Sequence, residues 1–557
     1  MRERKTLLSA LLLQSLVVPA IANAELITLE SHIPKNLMEA ENIGPLEARQ
    51  ELEISILLDL NHKEDLDKTI TDLYDPKSPI YNQFLSSEEF MQRFSPTEEQ
   101  VSDVTQFLQD NGLTVRTVDA NRMIVHASGS IANVSAAFHT TISQYRLHDS
   151  RIVYAPSREL QVPSGLSIMS VQGLENMSRL RNHMRRRDTT RDDDMGLTPA
   201  TIRTAYEIPE HLQGSGQIAA VVEFDAYYPS DIAEYNQTFY PNLPPVPLEN
   251  IYVDGATNTN PGKGSVEVAL DIELMIALAP KLAKILVYEA PNTNKGGLDM
   301  YNQVAIDNRS KSISTSWGLS ENLITRAYLR AEANIFKQFA AQGQALYAAS
   351  GDNGAYDDAD SPKKLIVDDP SAQPYVVSVG GTRLTTDADG SYVSESTWNG
   401  LNHNGGGGGG GLSAVWAIPS WQKKALKPGL QKSLTRRNVP DVSLNSDPET
   451  GYAVYSSSQW IIVGGTSCAA PLWAAFGALV NEQRAEKGRG PMGLPTPILY
   501  NIGASTSYAH TFHDIADGSS NGNAKPPLGY HAVKGYDNAT GWGTFRGADL
   551  INELSTK

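Results

Sequence analysis

The stretch Gly264–Pro280, GSVEVALDIELMIALAP, limits the folds open to this chain more than any other. Its length and apolar content predict a helix buried on nearly all sides, with Ser265 at the N-cap and Pro280 marking the stop. Glu267 and Asp271 lie four residues apart within it, so both carboxylates sit on one face, one turn apart. Like charges in a poorly solvated place repel each other and tend to share one proton. A chain gains no stability from that arrangement, so it points to chemistry.

Such a helix needs protein all around it. The chain has 557 residues, more than a single core usually serves, so at least two domains are expected. A hydrophobic content of 40% with 20% charged residues describes a soluble globular protein. The net charge of −17 argues against a nucleic-acid partner. Excess carboxylates also suit an acidic working pH, where protonation lowers self-repulsion. Residues 1–24 read as a secretory signal peptide. Arg2, Arg4 and Lys5 form the charged start, Leu7 to Ala20 the apolar run, and Ala22-Asn23-Ala24 the cleavage site. No other stretch is long enough to span a bilayer, so no membrane association is expected after its removal. Cys468 is the only cysteine. An exported chain with no internal disulfide must be stapled some other way, for instance by a metal.

A second motif lies far downstream at Gly464–Pro471, GGTSCAAP. A Gly-Thr-Ser turn opening a small-residue helix presents the Ser467 hydroxyl at a helix N-terminus, where the dipole and free N–H groups favour developing negative charge. This pattern resembles the nucleophile turn of the subtilisin-like peptidase clan. Cys468 reads as a small buried neighbour in that helix. A subtilisin needs a histidine base before its serine. No histidine falls between His211 and His403, and Glu267 and Asp271 stand in that part of the chain order. The combination resembles the sedolisin family of serine-carboxyl peptidases, in which Glu and Asp replace the histidine and aspartate of the triad. The resemblance implies an α/β, subtilisin-like parallel sheet flanked by helices, preceded by a small α+β ferredoxin-like prodomain.

Residues 25–178 form the expected prodomain. Leu52, Ile54, Ile56 and Leu58 alternate as in a strand. Thr97-Glu98-Glu99-Gln100 is a capping box, and Gly112 ends the helix it opens. Arg122 to Ala127 reads as a strand and Ile131 to Phe138 as a helix. Asp75-Pro76-Lys77-Ser78-Pro79-Ile80-Tyr81 and the segments after it resemble the activation prodomain of sedolisin-type zymogens. The charged run 179–196 is expected to be an exposed tether carrying the processing site. The mature unit, 197–557, holds short apolar runs at Ile218–Glu223, Ile285–Tyr288, Lys311–Trp317, Ala345–Ser350 and Tyr375–Gly380, the pattern of a parallel sheet. The seven glycines 405–411 lack the Lys-Ser/Thr of a phosphate loop and are expected to form a mobile surface loop.

Amide hydrolysis needs a nucleophile, a base and a holder for the oxyanion. Ser467 is the candidate nucleophile, Glu267 its base, and Asp271 the group that orients Glu267. The resemblance extends this chain to Glu223 and Trp317, although Glu223 fits an exposed strand-end carboxylate nearly as well and Trp317 fits simple packing. Gly318 marks a possible substrate-binding strand edge. Asp352, in Ser350-Gly351-Asp352, resembles the family's oxyanion residue. It can donate only when protonated, which predicts an acidic optimum.

The C-terminal segment holds Asp514 and Asp537 among glycine-rich backbone, a set suited to a hard cation such as Ca²⁺. The resemblance implies one structural calcium held by these two aspartates and the carbonyls of Ile515, Val533 and Gly535, with Val533 standing where glycine is expected. A lone His513 among oxygen donors is poor zinc chemistry. The chain is therefore read as the zymogen of a secreted, acid-acting, monomeric endopeptidase that cleaves proteins or peptides. Its prodomain would act as intramolecular inhibitor and chaperone. A tripeptidyl-type exopeptidase or a non-catalytic peptide-binding protein on this scaffold are the alternatives.

Overall fold

Along Glu51–Leu58, Ile54, Ile56 and Leu58 face one core while Leu57 faces another. That strand is buried on both sides because a second domain covers its outer face. A computed structural model describes residues 25–187, 195–357, 364–403, 405–429, 431–523, 525 and 528–557; the expected signal peptide, residues 1–24, lies outside them. In the N-terminal domain four antiparallel strands run in the order Thr114–Val118, Ile124–Ser130, Glu51–Leu58, Ile168–Gln172. Thr97 and Gln100 form the expected capping box at the start of helix Glu98–Asp110, and Gly112 follows that helix at φ +73°. Val104 and Leu108 of this helix and Val134 of Ile131–Ala137 close the inner core.

The outer face docks on the larger domain. Ser55 Oγ donates to Asp299 Oδ2 at 2.8 Å, Lys337 pairs with Asp67 at 2.6 Å, and the Tyr74 hydroxyl donates to the Ala340 carbonyl at 2.8 Å. One continuous apolar core includes Leu66, Ile70 and Phe90 from one side and Phe336 and Phe339 from the other.

The larger domain is built on an eight-stranded sheet. Its order is Leu248–Tyr252, Lys284–Glu289, Ile218–Glu223, Ser312–Thr315, Ala345–Ala349, Val377–Thr386, Tyr392–Thr397, and Val442–Asn445 also pairs with Val377–Thr386. All neighbours are parallel except Tyr392–Thr397. The central strands Ile218–Glu223, Ser312–Thr315 and Ala345–Ala349 are buried almost throughout because helices cover both faces. The predicted run Lys311–Trp317 splits in two. Ser312–Thr315 stays in the sheet, and Trp317–Ser320 leaves it to pair with Asp368–Asp369.

Deep in this domain Arg437 donates to both oxygens of Asp441, each at 2.6 Å. Neither side chain is exposed, and Asp441 also accepts from Ser378 N and the Tyr500 hydroxyl, each at 2.9 Å. The glycine run differs from expectation. Gly406–Gly411 are buried, not at the surface. A Cβ on Gly409 would lie 1.9 Å from the Ser350 carbonyl oxygen, so only glycine lets this backbone press against the loop that carries Asp352. Among the described residues no helix is long and apolar enough to cross a membrane.

Candidate active site

The carboxylate-bearing helix forms over Ser265–Leu278. Its N-cap is Gly264, not Ser265, because Asp225 accepts from the N–H groups of Gly262 and Gly264, each at 2.7 Å, and fixes the turn before it. The helix Thr466–Glu486 packs along it, so Glu267, Asp271 and Ser467 meet in the interior, each fully buried. The Ser316 hydroxyl ties the group together. It lies 2.7 Å from Asp271 Oδ1 and 3.2 Å from the Ser467 carbonyl. Trp317 Nε1 donates to Glu223 Oε2 at 2.8 Å. Glu223 is fully buried, which removes its reading as an exposed strand end.

The electrostatics follow from burial. Desolvation, and then the charge of Asp271, hold Glu267 well above the usual carboxylate range; the Ser467 and Ser316 hydroxyls pull it back. Burial also pushes Asp271 up to about 7, against hydrogen bonds from Ser316 and Glu223 that lower it. Glu223 is raised most by burial and next by the charge of Asp271, which favours its protonated form. The Ser467 hydroxyl and both Glu267 oxygens lack a hydrogen-bond partner of good geometry. A set of acids, poor in fixed hydrogen bonds and rich in shareable protons, can take a proton from a hydroxyl and return it.

Asp352 stands on the other side of Ser467. Its Oδ1 accepts from Thr466 N at 2.8 Å and Thr466 Oγ1 at 3.0 Å. Burial raises its pKa, opposed by the charges of Arg185 and His183. Those two residues belong to the tether, which over 179–187 is only partly exposed, not fully as expected: Arg179, Arg181 and Arg186 face solvent, but His183 is buried and the remaining residues are half-buried. Arg181 and Asn182 pair antiparallel with Gly318 and Trp317, and Arg185 and Arg186 with Gly464 and Val463. Between the two ladders His183 is buried, its carbonyl accepts from Ser467 N at 3.0 Å, and its ring Nε2 lies 3.2 Å from Asp368 Oδ2. A histidine thus reaches the site, but from the tether and with its ring turned away from Ser467 toward an acid. Residues 188–194 of the tether lie outside the described residues. The cleft of about 730 Å³ is bordered by Asp225, Trp317, Asp352, Asp357 and Asp368. The sequence reading missed Ser316, His183, Asp357 and Asp368. Only Ser316, adjoining Trp317, carried a local signal. Cys468 is buried as expected, and burial raises its thiol far from ionisation.

The expected cation ligands gather in the C-terminal loops. Asp514 accepts from Gly535 N at 3.1 Å and from the Tyr508 hydroxyl at 2.9 Å. Asp537 Oδ2 accepts from Val533 N at 2.9 Å, and its Oδ1 from Ala539 N and Thr540 N. Donors are all oxygen, and burial pushes Asp537 up to about 7, the direction a divalent cation would reverse. The residues fit such an ion. His513 instead stacks on Tyr392 with centroids 3.6 Å apart. Among the described residues, a compact grouping of metal-ligating side chains occurs at His126, Asp254 and Asp299 on the domain interface. There Lys295 Nζ already bridges Asp254 and Asp299 at 2.6 and 2.9 Å, where a cation would sit.

The parallel sheet, the buried serine helix and the docked N-terminal domain define a subtilisin-like peptidase made as a zymogen. Residues 39–177 match the family model of the pro-kumamolisin activation domain, and residues 256–495 that of the subtilase family. The chain is 31% identical to kumamolisin of Bacillus sp. (strain MN-32), over 94% of this chain and 96% of that protein. It is 29% identical to sedolisin of Pseudomonas sp. (strain 101), over 92% of this chain and 89% of that one. It is 26% identical to tripeptidyl-peptidase 1 of Canis lupus familiaris, over 92% and 93%. The solved structure of Pseudomonas sedolisin complexed with two molecules of pseudo-iodotyrostatin superposes with a TM-score of 0.58 at 29% identity, covering 65% of this chain and 98% of that one. The chain belongs to the sedolisin family of serine-carboxyl peptidases.

Proposed function

We propose that the protein is a secreted endopeptidase that works in acid and releases itself by cutting its own tether. Ser467 Oγ attacks the carbonyl carbon, Glu267 accepts its proton and later gives it to the leaving amine, and Asp271 orients Glu267. The Glu223–Trp317 pair steadies the proton on the far side of Asp271. Asp352, when protonated, donates to the oxyanion together with Ser467 N–H. The observation that carries this reading is the His183 carbonyl held 3.0 Å from Ser467 N, which supports His183–Met184 as the first bond cut. The prodomain is taken as 25–178, the tether as 179–196 and the enzyme as 197–557. The enzyme would act as a monomer free of membranes, with calcium held by Asp514, Asp537 and the carbonyls of Ile515, Val533 and Gly535 to stiffen the C-terminal loops. Chelation is then expected to lower its melting temperature, as loss of any ligand specific to the native state must.

The pH sign follows from Asp352. Burial favours its neutral form, and only that form donates. Activity therefore falls as pH rises through its pKa, and substantial activity at about pH 4 should be lost by about pH 8. Acidifying purified precursor and mapping the products by mass spectrometry tests the whole scheme. A cut after His183, absent in Ser467→Ala, is expected. Cleavage that survives in Ser467→Ala, or equal rates at both pH values, would sink it. The similarity to a tripeptidyl peptidase supports a second reading, release of three-residue units from N-termini. Internal cuts in an N-terminally blocked protein substrate exclude that reading.

A further inference from the structure

Arg185 lies two residues beyond the carbonyl docked on Ser467 N–H, on the leaving-group side of the bond. Its Nε is 3.6 Å from Asp352 Oδ2, and its Nη2 donates to Asn353 Oδ1 at 2.9 Å. Asp352 Oδ1 is taken by Thr466, while Oδ2 has no hydrogen-bond partner. Asp352 is buried and Arg185 half-buried, so the guanidinium reaches a preformed acid from the open side of the cleft. We propose that Asp352 and Asn353 form a guanidinium-accepting subsite two residues beyond the scissile bond, and that Arg185 fills it in the precursor, holding Asp352 as a carboxylate that cannot donate to the oxyanion. The inference rests on the oxyanion role proposed above for Asp352.

The same contact that seats the tether thus withholds one donor of the site it occupies. An ionised Asp352 also repels an oxyanion instead of stabilising it. The other groups facing Asp352 do not substitute for Arg185. Thr466 contributes only dipoles. Glu267 from the facing helix is an acid, and Asp368, which borders the cleft, is another. His183 of the tether is depressed by burial, with Asp357 and Asp352 opposing, so it carries little charge until the medium is acidic. Arg185 is charged at every working pH. It leaves with the tether once the chain is trimmed to the mature unit, whereas the acids stay. The precursor should therefore need a lower pH to cut itself than the mature enzyme needs to turn over.

The test uses full precursor. Self-processing rates are measured across pH by gel and mass spectrometry for the native chain, Arg185→Gln and Arg185→Lys. The matured enzyme, trimmed past residue 187 and so identical from all three, supplies the reference profile. A neighbouring cation typically depresses an acid by about 1–3 pH units. Arg185→Gln should accordingly move the processing midpoint up by about one unit, toward that of the matured enzyme, while Arg185→Lys stays near the native value. An Arg185→Gln precursor that processes with the native midpoint overturns the inference. So does a native midpoint no lower than that of the matured enzyme. Processing that persists in Ser467→Ala instead overturns the reading of the active site itself, and the two failures are told apart by that variant.

Discussion

Two of the buried charged groups in the larger domain are built on opposite rules. At Arg437 and Asp441 each charge meets its opposite, and Ser378 N and the Tyr500 hydroxyl take up the remaining capacity of the aspartate. At Glu223, Asp271 and Glu267 acids face acids, and oxygens of all three lack partners. The first arrangement fixes protons and positions together. The second leaves protons free to move between sites, at the expense of stability. A buried ionic group with every bond filled is architecture, and one left open is machinery.

The comparison can be broken at either end. The largest effect is expected for Ser467→Ala, a fall in peptidase activity on the order of 10⁴-fold or more with the circular dichroism spectrum unchanged. Next comes Arg437→Ala, which strands the buried Asp441 carboxylate. It should lower unfolding free energy by about 3–5 kcal/mol in denaturant titration, without moving the pH optimum of the folded fraction. A shifted optimum would show that the two groups are coupled after all. Asp352→Asn keeps a donor that needs no added proton. At acid pH it should lose up to about a hundredfold, yet its alkaline limb should extend past that of the native enzyme in a pH–rate profile. Smallest is Trp317→Phe, which removes one hydrogen bond to Glu223. A loss of about tenfold in kcat, with an altered pH profile and little change in melting temperature, is expected.

The acidic helix was legible because its two signals, apolar length and a four-residue carboxylate spacing, are local. So were the parallel strands and the capping box at Thr97. The glycine run and the tether were misread for one physical reason: their partners are distant in sequence. Glycine in isolation signals a loose backbone. Against the Ser350 carbonyl the missing Cβ instead permits close packing, and nothing near 405–411 announces that. The tether is charged, as solvated linkers are, but its cations answer Asp352, Asp357 and Asp368, which stand more than 150 residues further along. Charge complementarity across such a gap leaves no periodicity to read. The Ser265 cap failed more simply, because Asp225 holds the turn before it.

The tether lies in the cleft by ladders at Trp317–Gly318 and Val463–Gly464. Those bonds join main chain to main chain, and they need donors and acceptors that are not already spoken for. A helix or a sheet interior has none to offer. The groove can therefore grip only polypeptide that has already come undone, and the sour medium proposed above would unravel the prey as well as ready the enzyme.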